Sequence, residues 1–193
     1  VDAFDVLKKA RVESSLSEAL SDINLAFSTS ACQQRTEEPE ALGHLVEKLQ
    51  EQDLTRENKI AFVFGDERDG LTRAEIARCH ELILVPTEPT FASLNLAQAL
   101  GIVAYELSRT TGLQNHNRQN NKKISTEILP CGAEEDELIN LTSELMERAS
   151  FSRRYNRDLV TMQLRSAIQK MRPNKREFQL LRGFLLRLND KLK

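Results

Sequence analysis

The 193 residues predict an α/β fold, a parallel sheet with helices packed on it, followed by a helical extension. Three observations point there. Ile60-Ala61-Phe62-Val63-Phe64 is a continuous apolar run ending at Gly65, the pattern of a strand buried on both faces. Glu81-Leu82-Ile83-Leu84-Val85, stopped by Pro86, is a second run. Beyond residue 134 the pattern changes to three helical segments.

Between the two apolar runs, Thr72-Arg73-Ala74-Glu75 fits a capping box and starts a short helix reaching about Cys79. Two buried strands joined through a helix suggest a parallel pair with a right-handed crossover. In such sheets ligands bind at the carboxyl ends of the strands. The residues there are Gly65 to Gly70 after one strand and Thr87 to Asn95 after the other. The two glycines permit backbone conformations that a side chain forbids, and let the chain approach a ligand closely.

The remaining elements follow in order. Asp2 to Ala10 has helical spacing, and Ser15-x-x-Glu18 caps a second helical turn to about Asp22. Ile23 to Phe27 reads as a strand that ends in Ser28-Thr29-Ser30-Ala31, and Cys32 to Glu38 as a polar loop. Pro39 suits the first turn of a helix from Glu40 to Gln50, with Leu42, Leu45, Val46 and Leu49 as its apolar stripe. The helix Asn95 to Arg109 is apolar around most of its girth, so it is expected to be buried against the sheet and a second subunit. Thr110 to Ala133 is rich in Asn, Gln and Lys and reads as a linker. Three helices follow. Glu134 to Ala149 is acidic and amphipathic, and Arg157 to Met171 carries Leu159, Val160, Met162, Leu164 and Ile168. After Pro173, Asn174-x-x-Glu177 caps a last helix expected to bury Phe178, Leu181, Phe184, Leu185 and Leu188. The expected organisation is a domain over 1–110, a linker over 111–133 and a basic helical extension over 134–193.

Composition narrows the function classes. Forty per cent apolar content suits a globular core, and no apolar run approaches a membrane span or a signal peptide. Cys32, Cys79 and Cys131 are scattered without a CxxC, and His44, His80 and His116 form no ligand set, so no metal site is expected. A reducing cytoplasmic compartment follows, with an organelle as the alternative. Cys79 reads as a small core residue. The net charge of −2 hides an asymmetry. Residues 151–193 hold 12 Lys and Arg against 3 Asp and Glu, net +9, which leaves −11 on residues 1–150. A basic tail on an acidic body is an electrostatic footprint for a polyanion. Arg153, Arg154, Arg157, Lys175 and Arg176 are the candidates to grip phosphates. No GxGxxG follows any strand, against a nicotinamide cofactor.

Gly65-x-Glu67-x-x-Gly70-Leu71, followed by Ser93-Leu94-Asn95-Leu96-Ala97-Gln98-Ala99, resembles the second and third motifs of the SpoU class of knotted SPOUT RNA methyltransferases. The wording is closest to the bacterial-type tRNA 2′-O-ribose methyltransferases of the anticodon loop. The resemblance implies a Rossmann-like domain with a carboxyl-terminal trefoil knot, a homodimer, S-adenosylmethionine as cofactor, and tRNA or rRNA as substrate. It implies that Gly65, Val85, Ala92, Ser93 and Leu94, with Thr29, Ser30 and Ala31, line the cofactor pocket mostly through backbone groups. Ser93 and Asn95 would orient the ribose or a neighbouring phosphate, and Glu67 would brace the loop or the arginine. Ser93 also suits the N-cap of the long helix, and Glu67 also suits a carboxylate capping backbone amides. Asn95 is harder to explain as structure, because asparagine is a poor helix former. The family has a further strand and helix before this pattern, with an arginine that activates the ribose hydroxyl. No match to that motif is found from Val1 onward, so activity of this stretch is expected to depend on it, and some apolar surface of the sheet should be unpaired. The rival expectations are a non-catalytic RNA-binding protein of the same fold, and a helical module docking an acidic protein.

Overall fold

The computed structural model describes residues 4–30, 39–51, 58–88, 94–117, 128–151 and 156–191. Among these residues four parallel strands form one sheet: β1 (Leu25–Ser30), β2 (Glu40–Ala41), β3 (Ile60–Val63) and β4 (Glu81–Leu84), in the order β2-β4-β1-β3. The apolar runs expected to pair are parallel, but β1 lies between them. The reason is burial. Leu25, Ala26, Phe27 and Ser28 of β1 are all buried, so β1 takes the centre. β3 has Ile60 39% exposed and is an edge strand, not one buried on both faces as its composition suggests.

Helices cover both faces of the sheet. On one, α3 (Leu42–Glu51) and α5 (Leu96–Asn117) place Leu42, Leu45, Val46 and Val103 against Leu25, Phe27 and Ile83. The other face carries two clusters. Leu20, which caps the carboxyl end of α2 (Leu16–Ala19), packs with Ala26 and Cys79, and Leu71 and Ile76 pack on Leu82 and Val63 around α4 (Arg73–Ile76). Burial pushes the Cys79 thiol up to about 12, so it is an inert core group. The capping boxes work as the spacing predicts. Thr72 accepts from the Glu75 amide at 3.2 Å and Glu75 accepts from the Thr72 amide at 2.7 Å. Ser15 accepts from the Glu18 amide. A short helix α1 (Phe4–Lys8) precedes α2 and buries none of its residues.

Several boundaries differ from expectation. Glu40 and Ala41 pair with Ile83 and Leu84 as β2, so the helix expected from Glu40 begins at Leu42. Ser28 to Ser30 belong to β1 rather than to a loop, because their register continues along β4. α5 continues through residues expected to begin the linker and ends at Asn117. Among its described side chains, residues 96–109, it buries only Val103 while Leu100, Ile102 and Tyr105 stay exposed, so that part is not buried all round within one chain. The loop expected over 32–38 lies outside the described residues, as do residues 89–93 between β4 and α5.

The extension is a three-helix bundle. α6 (Gly132–Arg148), α7 (Arg157–Met171) and α8 (Lys175–Lys191) bury Leu138, Ile139, Ile168 and Phe178, with Leu164, Leu181 and Leu185 around them. Phe184 and Leu188, expected on the buried face of the last helix, are exposed. The extension is locked to the sheet domain at its first residue. A Cβ on Gly132 would sit 2.4 Å from the Leu20 carbonyl oxygen, and the Gly132 and Ala133 amides donate to Ile23 and Ser21 carbonyls at 2.9 Å. Asn24, buried, donates to the Leu129 carbonyl at 2.8 Å and accepts from the Lys59 amide.

Candidate active site at the carboxyl ends of the sheet

β4, β1 and β3 are adjacent, so their carboxyl ends lie side by side, each about 4.8 Å from the next. The register puts Ser30 opposite Leu84 and Ser28 opposite Val63. Gly65, two residues beyond Val63, therefore leaves the sheet level with Ser30, and Val85 one step beyond Leu84. The Thr29 hydroxyl donates to the Val63 carbonyl at 3.1 Å, tying β1 to β3 just below this rim. Of the cofactor-lining candidates, Thr29, Ser30, Gly65 and Val85 meet here. Leu94 is half-buried before α5. Ala31, Ala92 and Ser93 lie outside the described residues.

The loop after β3 is built on backbone contacts. Asp66 and Gly70 form an antiparallel bridge, and Gly70 has φ +65°, a left-handed conformation that glycine adopts without strain. A Cβ on Gly65 would lie 2.2 Å from the Gly70 carbonyl carbon and 2.4 Å from the Leu71 nitrogen. No side chain fits there, so both glycines of the motif have a steric reason. The Asp66 carboxylate accepts the Arg68 amide at 2.8 Å and the Asp69 amide at 2.7 Å. Those amide donors, Asp69 first, hold its carboxyl below the usual range.

This changes the reading of Glu67. The loop is braced by Asp66, which sequence reasoning passed over; its signal was an Asp opening a tight turn that ends in Gly. Glu67 is exposed and engages no other described residue, so its carboxylate faces solvent beside the rim. Asn95 also changes. It is the N-cap of α5: its side-chain oxygen accepts the Ala97 amide at 2.9 Å, and Gln98 accepts the Asn95 amide at 3.3 Å. Asparagine is a favoured capping residue, which removes the objection that it is a poor helix former. The cap uses only the oxygen, so the Asn95 amide protons stay available.

Among the described residues, two of the phosphate-gripping candidates are engaged in ion pairs. Arg157 pairs with Glu147 at 2.6 Å and Lys175 with Glu134 at 3.2 Å. Arg176 is exposed, and Arg153 and Arg154 lie outside the described residues. Elsewhere in the tail Arg165 pairs with Asp136, Arg172 with Glu81 and Arg182 with Glu137. Much of the formal +9 is therefore neutralised locally. Among the described residues no group of three His, Cys, Asp or Glu is arranged to hold a metal, and no helix is long and apolar enough to cross a membrane.

Comparison with known proteins agrees with this arrangement. A Haemophilus influenzae protein described as an uncharacterized tRNA/rRNA methyltransferase is 31% identical over 189 residues, covering 95% of this chain and 73% of its own length. The tRNA (cytidine/uridine-2′-O-)-methyltransferase TrmJ of Sodalis glossinidius is 31% identical over 187 residues, covering 95% and 71%. The crystal structure of TrmJ from Z. mobilis ZM4 superposes with a TM-score of 0.75 at 27% identity, covering 95% of this chain and 75% of that one. The profile of the SpoU rRNA Methylase family matches residues 1–105, the sheet domain with its glycine-braced loop and the start of α5, and the chain belongs to that family.

Proposed function

We propose that this protein transfers a methyl group from S-adenosylmethionine to a ribose 2′-hydroxyl of tRNA, in the anticodon loop, as a cytoplasmic homodimer. The observation that carries the reading is the adjacency of the β1, β3 and β4 carboxyl ends, with Gly65 at a point of that rim where a Cβ is excluded. The residues suit the cofactor: the rim offers backbone groups and small side chains, as an adenosyl group held through main-chain hydrogen bonds requires. Thr29, Ser30, Ala31, Gly65, Val85, Ala92, Ser93 and Leu94 hold it. When bound, it supplies an electrophilic methyl group on a sulfonium.

The protein's own part is positional. A ribose hydroxyl is a weak nucleophile, so it must be aligned with the methyl carbon and relieved of its proton. The free amide protons of Asn95, with the Ser93 hydroxyl, orient the ribose or its phosphate. Glu67, unengaged at the rim, is placed to accept a hydrogen bond from the substrate or from a basic group brought to it. Ile102 and Tyr105, exposed on one side of α5 about 60° apart, offer apolar surface to a second copy.

The test pairs calorimetry with S-adenosylhomocysteine and methyl transfer to unmodified tRNA and rRNA transcripts. Cofactor binding with ribose methylation of tRNA supports the proposal. Methylation of rRNA alone moves the substrate, and tRNA binding without cofactor binding makes the protein a non-catalytic RNA binder.

A further inference from the structure

Among the described residues, Asp66, Glu67 and Asp69 follow β3 and Glu88 follows β4, all four exposed at the rim. An RNA strand is a polyanion, and like charges repel. A rim that receives RNA beside these carboxylates needs cations of its own.

Two arginines meet that need. Arg68 stands on a fixed base: its amide donates to the Asp66 carboxylate at 2.8 Å, and the Asp66–Gly70 bridge closes the turn around it. Its side chain is 89% exposed and pairs with Asp69 at 3.5 Å, itself 73% exposed. A pair so open to water contributes little to stability. Arg73 follows the capping residue Thr72, is exposed, and makes no ion pair among the described residues. Arg78, just beyond the same short helix, behaves differently: it reaches the Asp136 carboxylate at 3.2 Å and belongs to the contact with the extension. Both free-ended arginines lie close to the rim. The Gly70 carbonyl carbon and the Leu71 nitrogen are the atoms that exclude a Cβ on Gly65, and Arg68 and Arg73 are each two residues from one of them. Two residues of chain span at most about 7 Å.

We infer that Arg68 and Arg73 hold the phosphates on either side of the ribose that receives the methyl group. Fixing both flanking phosphates fixes the sugar between them, and so brings its 2′-hydroxyl into line with the donor. The two cations also offset the repulsion between the RNA backbone and the rim carboxylates. The inference rests on the RNA methylase reading of the same rim, and names the residues that make the rim receptive to a polyanion.

The test uses the full chain and an unmodified tRNA transcript over a series of salt concentrations. Arg68→Gln with Arg73→Gln should raise Kd and KM for tRNA about tenfold and lower the log-log salt slope of binding by about 1.4, as for two contacts to a single strand. Affinity for S-adenosylhomocysteine should be unchanged. Arg68→Lys with Arg73→Lys retains both charges and should retain the wild-type slope. An uncharged methylphosphonate in place of the phosphate 3′ of the methylated nucleotide should weaken the wild type about threefold and the double glutamine variant hardly at all, which places the contact. The inference is overturned if the glutamine variant keeps wild-type affinity and slope, because the arginines are then solvated surface charges. It is overturned equally if that variant loses S-adenosylhomocysteine affinity in proportion, or if the methylphosphonate weakens wild type and variant alike. A chain that binds tRNA with the arginine-dependent slope but transfers no methyl group would sink the catalytic reading and leave the phosphate contacts standing. A chain that binds no RNA overturns them.

Discussion

The rim at the carboxyl ends of the sheet and the seam between the sheet domain and the extension treat polar groups in opposite ways. At the rim, Asp66, Glu67 and Asn95 are exposed, and their bonds run to nearby backbone amides or are not made. In the seam, side chains far apart in sequence bond each other out of water. His80, mostly buried, and Glu135, buried, lie 3.2 Å apart. The Ala26 amide donates to Nδ1 of His80 at 3.2 Å, so Nε2 carries the proton and donates to Glu135. Gln169 donates to the Arg78 carbonyl at 3.2 Å and faces Glu135. Asp136 accepts from Ser17, Arg78 and Arg165, joining α2, the turn after α4, α6 and α7. The difference separates two tasks. The seam uses its polar capacity to fix the extension against the sheet, and the rim leaves part of its capacity unused, as the proposed cofactor site requires.

That division can be broken from either side. The largest effect expected is Gly65→Ala. The added methyl collides with the Gly70 backbone, the loop must move, and cofactor affinity or turnover should fall at least about 100-fold. Calorimetry and a methyl-transfer assay read it.

Asp136→Ala acts on the other region. It leaves Arg78 and Arg165 without their shared acceptor and should cost about 2 kcal/mol in urea unfolding, less than for a fully buried pair because Asp136 is partly solvated. Cofactor affinity of the folded protein should not change; a matching loss there would mean that seam and rim are not independent.

A pH series sharpens the same point. Burial raises the Asp136 pKa, but the Ser17 hydroxyl and the Arg165 and Arg78 guanidiniums outweigh it, and the net shift is downward. A carboxyl lowered on folding stabilises above its unfolded pKa and loses that contribution as pH falls through the folded one. Stability should therefore drop as pH falls below about 4 in the wild type, and less so in Asp136→Ala.

Smaller effects are expected within the rim. Asp66→Ala removes the acceptor for two loop amides and should weaken cofactor binding about tenfold, with little change in melting temperature because the group is exposed. Asn95→Asp keeps the N-cap, since aspartate caps as well, and removes the amide protons. Turnover should fall while melting temperature holds. An unchanged turnover would reduce Asn95 to a cap.

Much of the sheet domain was legible because its signals are local. Apolar runs gave β1, β3 and β4, and Thr72-x-x-Glu75 and Asn174-x-x-Glu177 marked helix starts correctly. Strand order was not legible, because Leu25 to Ser28 outranks Ile60 to Val63 for the centre only through the helices that cover each. The seam was invisible for the same reason: Ser17 meets Asp136 across 119 residues, and nothing near either announces the other. At the site, the glycines were readable from their spacing. Asp66 and the capping role of Asn95 were not, because a motif names positions without saying which side chain serves the backbone and which faces out.

The most direct measurement is hydrogen–deuterium exchange with and without S-adenosylhomocysteine. Expected is slowed exchange at three separate stretches together: the end of β1 through Ala31, Gly65 to Gly70, and Val85 to Asn95, with the His80–Glu135 seam unaltered. Slowing confined to one of those stretches, or found only along the seam, would contradict a cofactor held jointly by the three strand ends.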